Sequence, residues 1–282
     1  MKIGVTGGKP QDGSFYAMLK SAGFECFDFN MACTEIPPYT LQGAMFDDFC
    51  KEERKIANAA GMTVWQVHGP MRWPVCDGTP EEREERMEKM KRSIRATSLL
   101  GAKYWVIHPL MPHGLFERAT DKAKETREMN LAFWSELLKT AKNEGVTICL
   151  ENMPFLDQRI SHIDRIADFV KRLDLPNLGI CLDTGHANVF KTDLGDAVRV
   201  CGDKLKVLHV HDNDTRCDAH TIPFDGKGNW LGFKAALKEI GFDGVLSLEC
   251  FINKTYPPEL DEYMRVGIAK TAAFLADKEL DI

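Results

Sequence analysis

Histidines and carboxylates close six short apolar runs in this chain. MTVWQVH ends at His68, YWVIH at His108, VTICLE at Glu151, LGICLD at Asp183, LKVLH at His209 and GVLSLE at Glu249. A seventh such residue, His186, lies just beyond Asp183. Each run reads as a β-strand. Independent structural accidents would not choose the same end of six strands. A closed barrel of parallel strands gathers such residues, because its strand C-termini converge on one mouth. The pattern therefore predicts a fold and a metal site together.

The rest of the chain fits a barrel. Strands are expected at Lys2–Thr6, Phe24–Phe29, Met62–His68, Tyr104–His108, Thr147–Glu151, Leu178–Asp183, Leu205–His211 and Gly244–Glu249. Helical segments alternate with them, near Ser14–Ala22, Phe46–Ala60, Thr79–Leu100, Thr120–Glu144, Ser161–Leu173, Leu194–Cys201, Trp230–Ile240 and Glu259–Ala276. The clearest helix start is Thr79-Pro80-Glu81-Glu82, with a threonine cap, a first-turn proline and a capping-box glutamate. Gly61, Gly101 and Gly145 stand where helices should stop. Eight strands alternating with eight helices predict one α/β domain over residues 1–282, a single (β/α)8 barrel. An open doubly wound sheet fits less well, since no GxGxxG follows the first strand.

Composition excludes several classes. The chain is 44% hydrophobic and 28% charged, as a globular protein with a substantial core should be. A net charge of -6 gives no general attraction to nucleic acid. Nine cysteines without a CxxC pair read as reduced thiols of a cytoplasmic protein. The opening MKIGVTGGKP enters a strand directly and carries no signal segment. No apolar run is long enough to span a membrane.

Carboxylates and imidazoles are the ligands a borderline divalent cation prefers. Glu151, Asp183, His209 and Glu249 are the expected metal set, with Glu151 and Glu249 on opposite arcs of the mouth. Two facing carboxylates can also act as acid and base on a sugar carbon. In Asp183-Thr184-Gly185-His186, the ring of His186 can turn back toward the same centre. An unusually long loop, Asp212–Asn229, holds Asp218 and His220 as further candidate ligands, followed by Gly226-Lys227-Gly228 for a tight backbone passage. His211 shares the face of His209 by alternation. Cys149 and Cys181 each precede a ligand by two residues and should pack inward. His113 and His162 read as surface or loop residues, and the charge-dense run Glu81–Arg95 as a solvated helix face. A lone strand-end histidine such as His108 is more often a hydrogen-bonded barrel residue, and a lone carboxylate a helix cap. It is the full set that points to a cation.

These residues carry a resemblance. LEN (Leu150–Asn152), LDTGHAN (Leu182–Asn188), HVHDND (His209–Asp214) with DAH (Asp218–His220), and LSLE (Leu246–Glu249) resemble the xylose isomerase-like barrel superfamily. That group holds sugar-phosphate isomerases and epimerases, ketose epimerases, inosose dehydratases and endonuclease IV. Similarity to the ketose epimerases implies one manganese or magnesium ion on Glu151, Asp183, His209 and Glu249. There the two glutamates exchange the proton, while His186 and Asp157 meet the substrate. An arginine of those enzymes is matched only roughly by Arg216. Similarity to endonuclease IV implies three zinc ions on nine ligands: His68, His108, Glu151, Asp183, His186, His209, Asp218, His220 and Glu249.

The acidic balance and the few basic residues in Gly69–Gly78 and Met153–Arg159 disfavour nucleic acid as a partner. The favoured reading is a metal-dependent sugar, sugar-phosphate or polyol isomerase or epimerase working through an enediolate. Its cofactor is a divalent ion (Mn, Mg or Zn, one to three per chain). The sugar hydroxyls meet His186 and His211, and Trp73 or Phe155 forms an apolar wall. A homo-oligomer is compatible with the sequence. The alternative is an endonuclease IV-like phosphodiesterase acting on abasic DNA.

Overall fold

The structure is a computed structural model that describes residues 1–7, 12–71, 77–115, 117, 121–252 and 256–278. Eight parallel strands follow one another round a ring: β1 Lys2–Gly7, β2 Cys26–Asn30, β3 Thr63–His68, β4 Tyr104–Ile107, β5 Thr147–Glu151, β6 Leu178–Asp183, β7 Leu205–His209 and β8 Val245–Leu248. β1 pairs with β8 in parallel, Lys2 opposite Val245 and Ile3 opposite Leu246. The last seam, between β7 and β8, is drawn shut by Val210, whose N–H donates to Ser247 O at 2.8 Å and whose carbonyl accepts from Glu249 N at 3.0 Å. The result is a single (β/α)8 barrel, as the strand-end pattern predicts.

Strand alternation sorts the core into two parts. Trp105, Ile107, Ile148, Leu150, Ile180, Leu182 and Leu208 belong to the large apolar layer shared with the helices. The residues between them, Val106, Cys149, Cys181 and Val207, form a separate plug inside the ring, with Trp65 and Tyr104 packed against it. Cys149 and Cys181 thus pack inward as expected. Two residues further along the same strands, still on the inner face, come His108, Glu151, Asp183 and His209. A period of two and an apolar plug beneath leave these polar groups only the mouth to face.

Outside the ring lie α1 Gly13–Ala22, α2 Pro37–Thr40, α3 Gly43–Ala59, α4 Pro80–Leu99, α5 Ala123–Glu144, α6 Ile163–Leu173, α7 Thr184–Val189, α8 Leu194–Cys201, α9 Trp230–Glu239 and α10 Asp261–Leu275. The capping box of α4 forms in full, Glu82 N donating to Thr79 Oγ1 at 3.2 Å and Thr79 N to Glu82 Oε2 at 3.0 Å. α5 ends on Gly145 in the left-handed region, φ 68°. No helix among the described residues is long and apolar enough to cross a membrane.

The structure corrects several boundaries. Two helices, α2 and α7, are added to the eight expected. α7 is only six residues long and begins directly at β6, so no turn chemistry announces it in the sequence. β4, β7 and β8 stop at Ile107, His209 and Leu248, leaving His108, His211 and Glu249 just past the regular ladder. α5 starts at Ala123, whereas part of the expected first turn lies outside the described residues.

Candidate metal centre at the barrel mouth

Glu151 occupies the centre of the polar mouth, almost fully buried. Its Oε1 lies 2.8 Å from His209 Nδ1 and 3.9 Å from His186 Nδ1. Its Oε2 approaches His108 Nε2 at 3.2 Å and His68 Nε2 at 3.4 Å, yet makes no hydrogen bond. Glu249 Oε2 reaches His209 Nδ1 at 3.3 Å from the other side. One potential ligand atom from each of Glu151, Asp183, His209 and Glu249 falls within 4.8 Å of all the others. So do the atoms of His68, His108 and Glu151, and those of His186, His211, Asp218 and His220. The fold therefore brings together all nine expected candidate ligands, with His211 as a tenth residue in the outermost group.

The imidazoles are oriented by their other nitrogens. His68 Nδ1 lies 2.8 Å from Gly69 O, His186 Nδ1 2.7 Å from Asn152 O, and His220 Nδ1 2.7 Å from Glu249 O. A carbonyl can only accept, so each Nδ1 carries hydrogen and each Nε2 is directed into the site. This is how metal-ligating histidines are commonly held. Asp183 does two jobs. It caps α7 through His186 N–H to Oδ1 at 2.7 Å, and its carboxylate lies 3.0 Å from His211 Nε2. Gly185 beside it has no room for a side chain, since a Cβ there would sit 2.0 Å from His211 Cε1.

Electrostatics point the same way. Burial opposes charge on Glu151, but His209, His108 and His68 outweigh it and hold the carboxyl well below its usual range. Burial likewise opposes protonation of His186. Asp183, Asp218 and Glu151 overcome that and push its pKa up to about 10. His220 rises to about 9 against its burial, drawn by Asp218 and Glu249. His209 stands well above the usual value in spite of burial, held there by Cys181, Glu151, Glu249 and Asp28. His108 differs, since burial dominates and lowers it to about 4. Five carboxylates, Asp28, Glu151, Asp183, Asp218 and Glu249, gathered round these imidazoles need positive charge close by. Protonated imidazoles or a cation can supply it.

Above this floor opens a cavity of about 570 Å³, of ligand size. His68, His108, Glu151, His186, Asp218, His220 and Glu249 form its polar side; Met153, Pro154, Phe155 and Phe251 form much of its apolar wall. No lysine or arginine occurs among the described residues that line it. Phe155 lines this cavity, while Trp73 lies outside the described residues. Asp157 stands exposed on a turn and is absent from the described lining, because the backbone turns outward after Phe155. His211 is fully buried behind His220, stacked on it at 3.9 Å, so it supports the outer cluster instead of meeting the cavity. Arg216 points to solvent beside Asp214. His162 caps α6 and His113 pairs with Glu125, as loop residues do.

Three polar residues at the mouth have no role in the sequence reading. Asp28, in the middle of β2, meets His209 Nε2 at 2.9 Å; an acid inside the apolar run FECFDF is the signal that could have found it. Asn152 ties β5 to β6 by donating to Asp183 O and accepting from Asp183 N, both at 2.9 Å. Asp212 is buried at the root of the long loop and accepts from the N–H groups of Phe224, Gly226 and Gly228 and from Trp230 Nε1. The expected tight passage at Gly226-Lys227-Gly228 is therefore a wrap around one carboxylate.

The fold and the site together define a closed (β/α)8 barrel with carboxylates and imidazoles gathered at its strand ends. The chain belongs to the xylose isomerase-like TIM barrel family, whose model matches residues 16–272. It is 30% identical over 185 residues to the uncharacterized protein MJ1311 of Methanocaldococcus jannaschii, covering 62% of each chain and so less than two thirds of that relative. It is 27% identical over 240 residues to the D-psicose 3-epimerase of Ruminiclostridium cellulolyticum, covering 82% of this chain and 75% of that one. Among solved structures, the IOLI protein with a binding zinc atom superposes with a TM-score of 0.78 at 18% identity, covering 100% of both chains. The named relatives include sugar epimerases and isomerases.

Proposed function

We propose that this chain is a metal-dependent isomerase or epimerase of a small sugar or polyol. One observation carries the reading: Glu151, Asp183, His209 and Glu249 present converging ligand atoms, and Glu151 and Glu249 among them line a ligand-sized cavity. The donor set suits a borderline divalent cation such as zinc, manganese or magnesium. The buried Glu151 Oε2 has no hydrogen bond, which supports the fit. When bound there, the cation would supply Lewis acidity to a substrate carbonyl. The epimerase relatives and the zinc in the IOLI neighbour support the same reading.

The side chains perform the rest. Glu151 and Glu249 flank the cavity floor, and either carboxylate can accept a proton from the carbon next to a carbonyl. The C–H electron pair then moves toward that carbonyl, and the opposite carboxylate or a water returns a proton. Glu249, with its side chain 15% exposed, is the more accessible base; Glu151 is held ionised by its imidazole neighbours. His186 and His220 stand ready for hydroxyl groups, while Phe155 and Phe251 cover an apolar sugar face. The described lining has no cationic side chain to receive a phosphate, so an unphosphorylated substrate suits it best.

The test is exchange of substrate C–H protons with deuterated solvent across a panel of ketoses and inososes. Wild-type protein should wash deuterium into at least one member, and E151Q and E249Q should lower the rate by about 10²–10⁴-fold while staying folded. Normal rates in both variants would discard the mechanism.

One observation favours a second reading, a multi-metal phosphodiesterase: the His68/His108/Glu151 and His186/His211/Asp218/His220 groups could hold further ions. Elemental analysis of the loaded protein separates the two, one ion per chain supporting the isomerase and three the cluster. Efficient incision of duplex DNA at an abasic site would favour the phosphodiesterase outright.

A further inference from the structure

Asp28 lies across the ring from Glu151, with the imidazole of His209 between them. It is buried, and its Oδ2 receives three donors: Thr6 Oγ1 at 3.2 Å, Gln66 Nε2 at 3.0 Å and His209 Nε2 at 2.9 Å. Its other oxygen, Oδ1, is buried without a partner. The opposite edge of the same imidazole, Nδ1, faces Glu151 Oε1 at 2.8 Å and Glu249 Oε2 at 3.3 Å. His209 is thus the inverse of His68, His186 and His220, which turn Nε2 inward and keep Nδ1 on a carbonyl.

From this geometry we infer that Asp28 is the positioning residue for His209, fixing the tautomer whose Nδ1 lone pair faces a cation. Carboxylates face both edges of the ring, and a carboxylate oxygen accepts; a cation on the Glu151–Glu249 side takes the Nδ1 lone pair, so the hydrogen of a neutral ring then belongs on Nε2, where Asp28 accepts it. The other tautomer would set a lone pair against Asp28 and point N–H at the Glu151–Glu249 pair. The ring of His68 lies parallel to that of His209, 5.7 Å away at 13°, and helps hold the plane. The charge of Asp28 also makes Nδ1 a stronger donor. Gln66 fastens Asp28 in turn and touches Leu208 O at 3.4 Å, beside His209 itself.

The inference rests on the cation reading above, and its test separates the two. Wild type, D28N and D28A are stripped with chelator, and zinc affinity is measured by competition with a chromophoric chelator. Circular dichroism checks the fold. D28N should bind zinc about 10–100-fold more weakly than wild type, and D28A at least as weakly. In zinc-loaded wild type, nitrogen NMR of the histidine side chains should find His209 protonated at Nε2 and not at Nδ1. Wild-type affinity in D28N, or a proton on Nδ1 in the loaded protein, would overturn the role given to Asp28. Should both variants unfold, the tautomer in wild type decides alone. A wild type that takes up no zinc, manganese or magnesium would overturn the cation reading and this inference with it.

Discussion

Single atoms decide much at this mouth, and Gly185 is the plainest case. It lies in α7 between two polar residues of the site, with the ring of His211 filling the volume a Cβ would need. G185A must displace that ring or shift α7. The interior is close-packed, so a cost of about 1–3 kcal/mol is expected. His211 in turn backs His220 through their stacked rings, so the disturbance should reach the outer cluster. Thermal melting should show the loss, and histidine NMR shifts should move at His211 and His220 first. An unperturbed spectrum would mean that the ring has space the geometry does not show.

At the level of the element, the loop from Asp212 to Asn229 is a long segment held largely by one side chain. Asp212 accepts from Phe224 N at 3.1 Å, Gly226 N at 3.0 Å, Gly228 N at 3.0 Å and Trp230 Nε1 at 2.7 Å. D212A would leave the buried Trp230 indole N–H without its acceptor and free three half-buried backbone N–H groups, for a cost of about 1–3 kcal/mol. Hydrogen exchange should quicken at Phe224, Gly226 and Gly228 before it quickens in the strands. Unchanged protection would show that the loop is held otherwise. The same loop marks where sequence reasoning stops. Strands whose inner faces carry a plug residue and then a ligand, such as Cys149 and Glu151, announce themselves through a period of two. The capping box of α4 is equally local. Asp28 and Asp212 are not: the imidazole that Asp28 meets lies 181 residues away, and the donors to Asp212 lie up to 24 residues away, so only the folded chain reveals them. α7 escaped for a related reason: Asp183 reads as a strand-end ligand, and only the fold shows the helix that it caps as well.

The whole molecule links metal, protons and stability. Without a cation, His186 at about 10 and His220 at about 9 keep protons that balance the buried carboxylates. Both values are raised above that of the unfolded chain, about 6.5. Their contribution is therefore complete below about pH 6.5 and disappears as pH climbs through 9 to 10. His108, lowered to about 4, acts in the opposite sense, and its contribution is lost as pH falls from about 6.5 toward 4. A bound cation needs the lone pairs that these protons occupy, including that of His209, so its binding strengthens as pH rises. Binding to the folded state alone raises Tm with free ion concentration. The Tm gap between zinc-loaded and chelator-stripped protein should accordingly widen from pH 6 to pH 9, and protons should be released on loading. A gap that narrows over that interval would mean that ion and protons do not compete for the same nitrogens, and the barrel mouth would then have to balance its carboxylates in some other way.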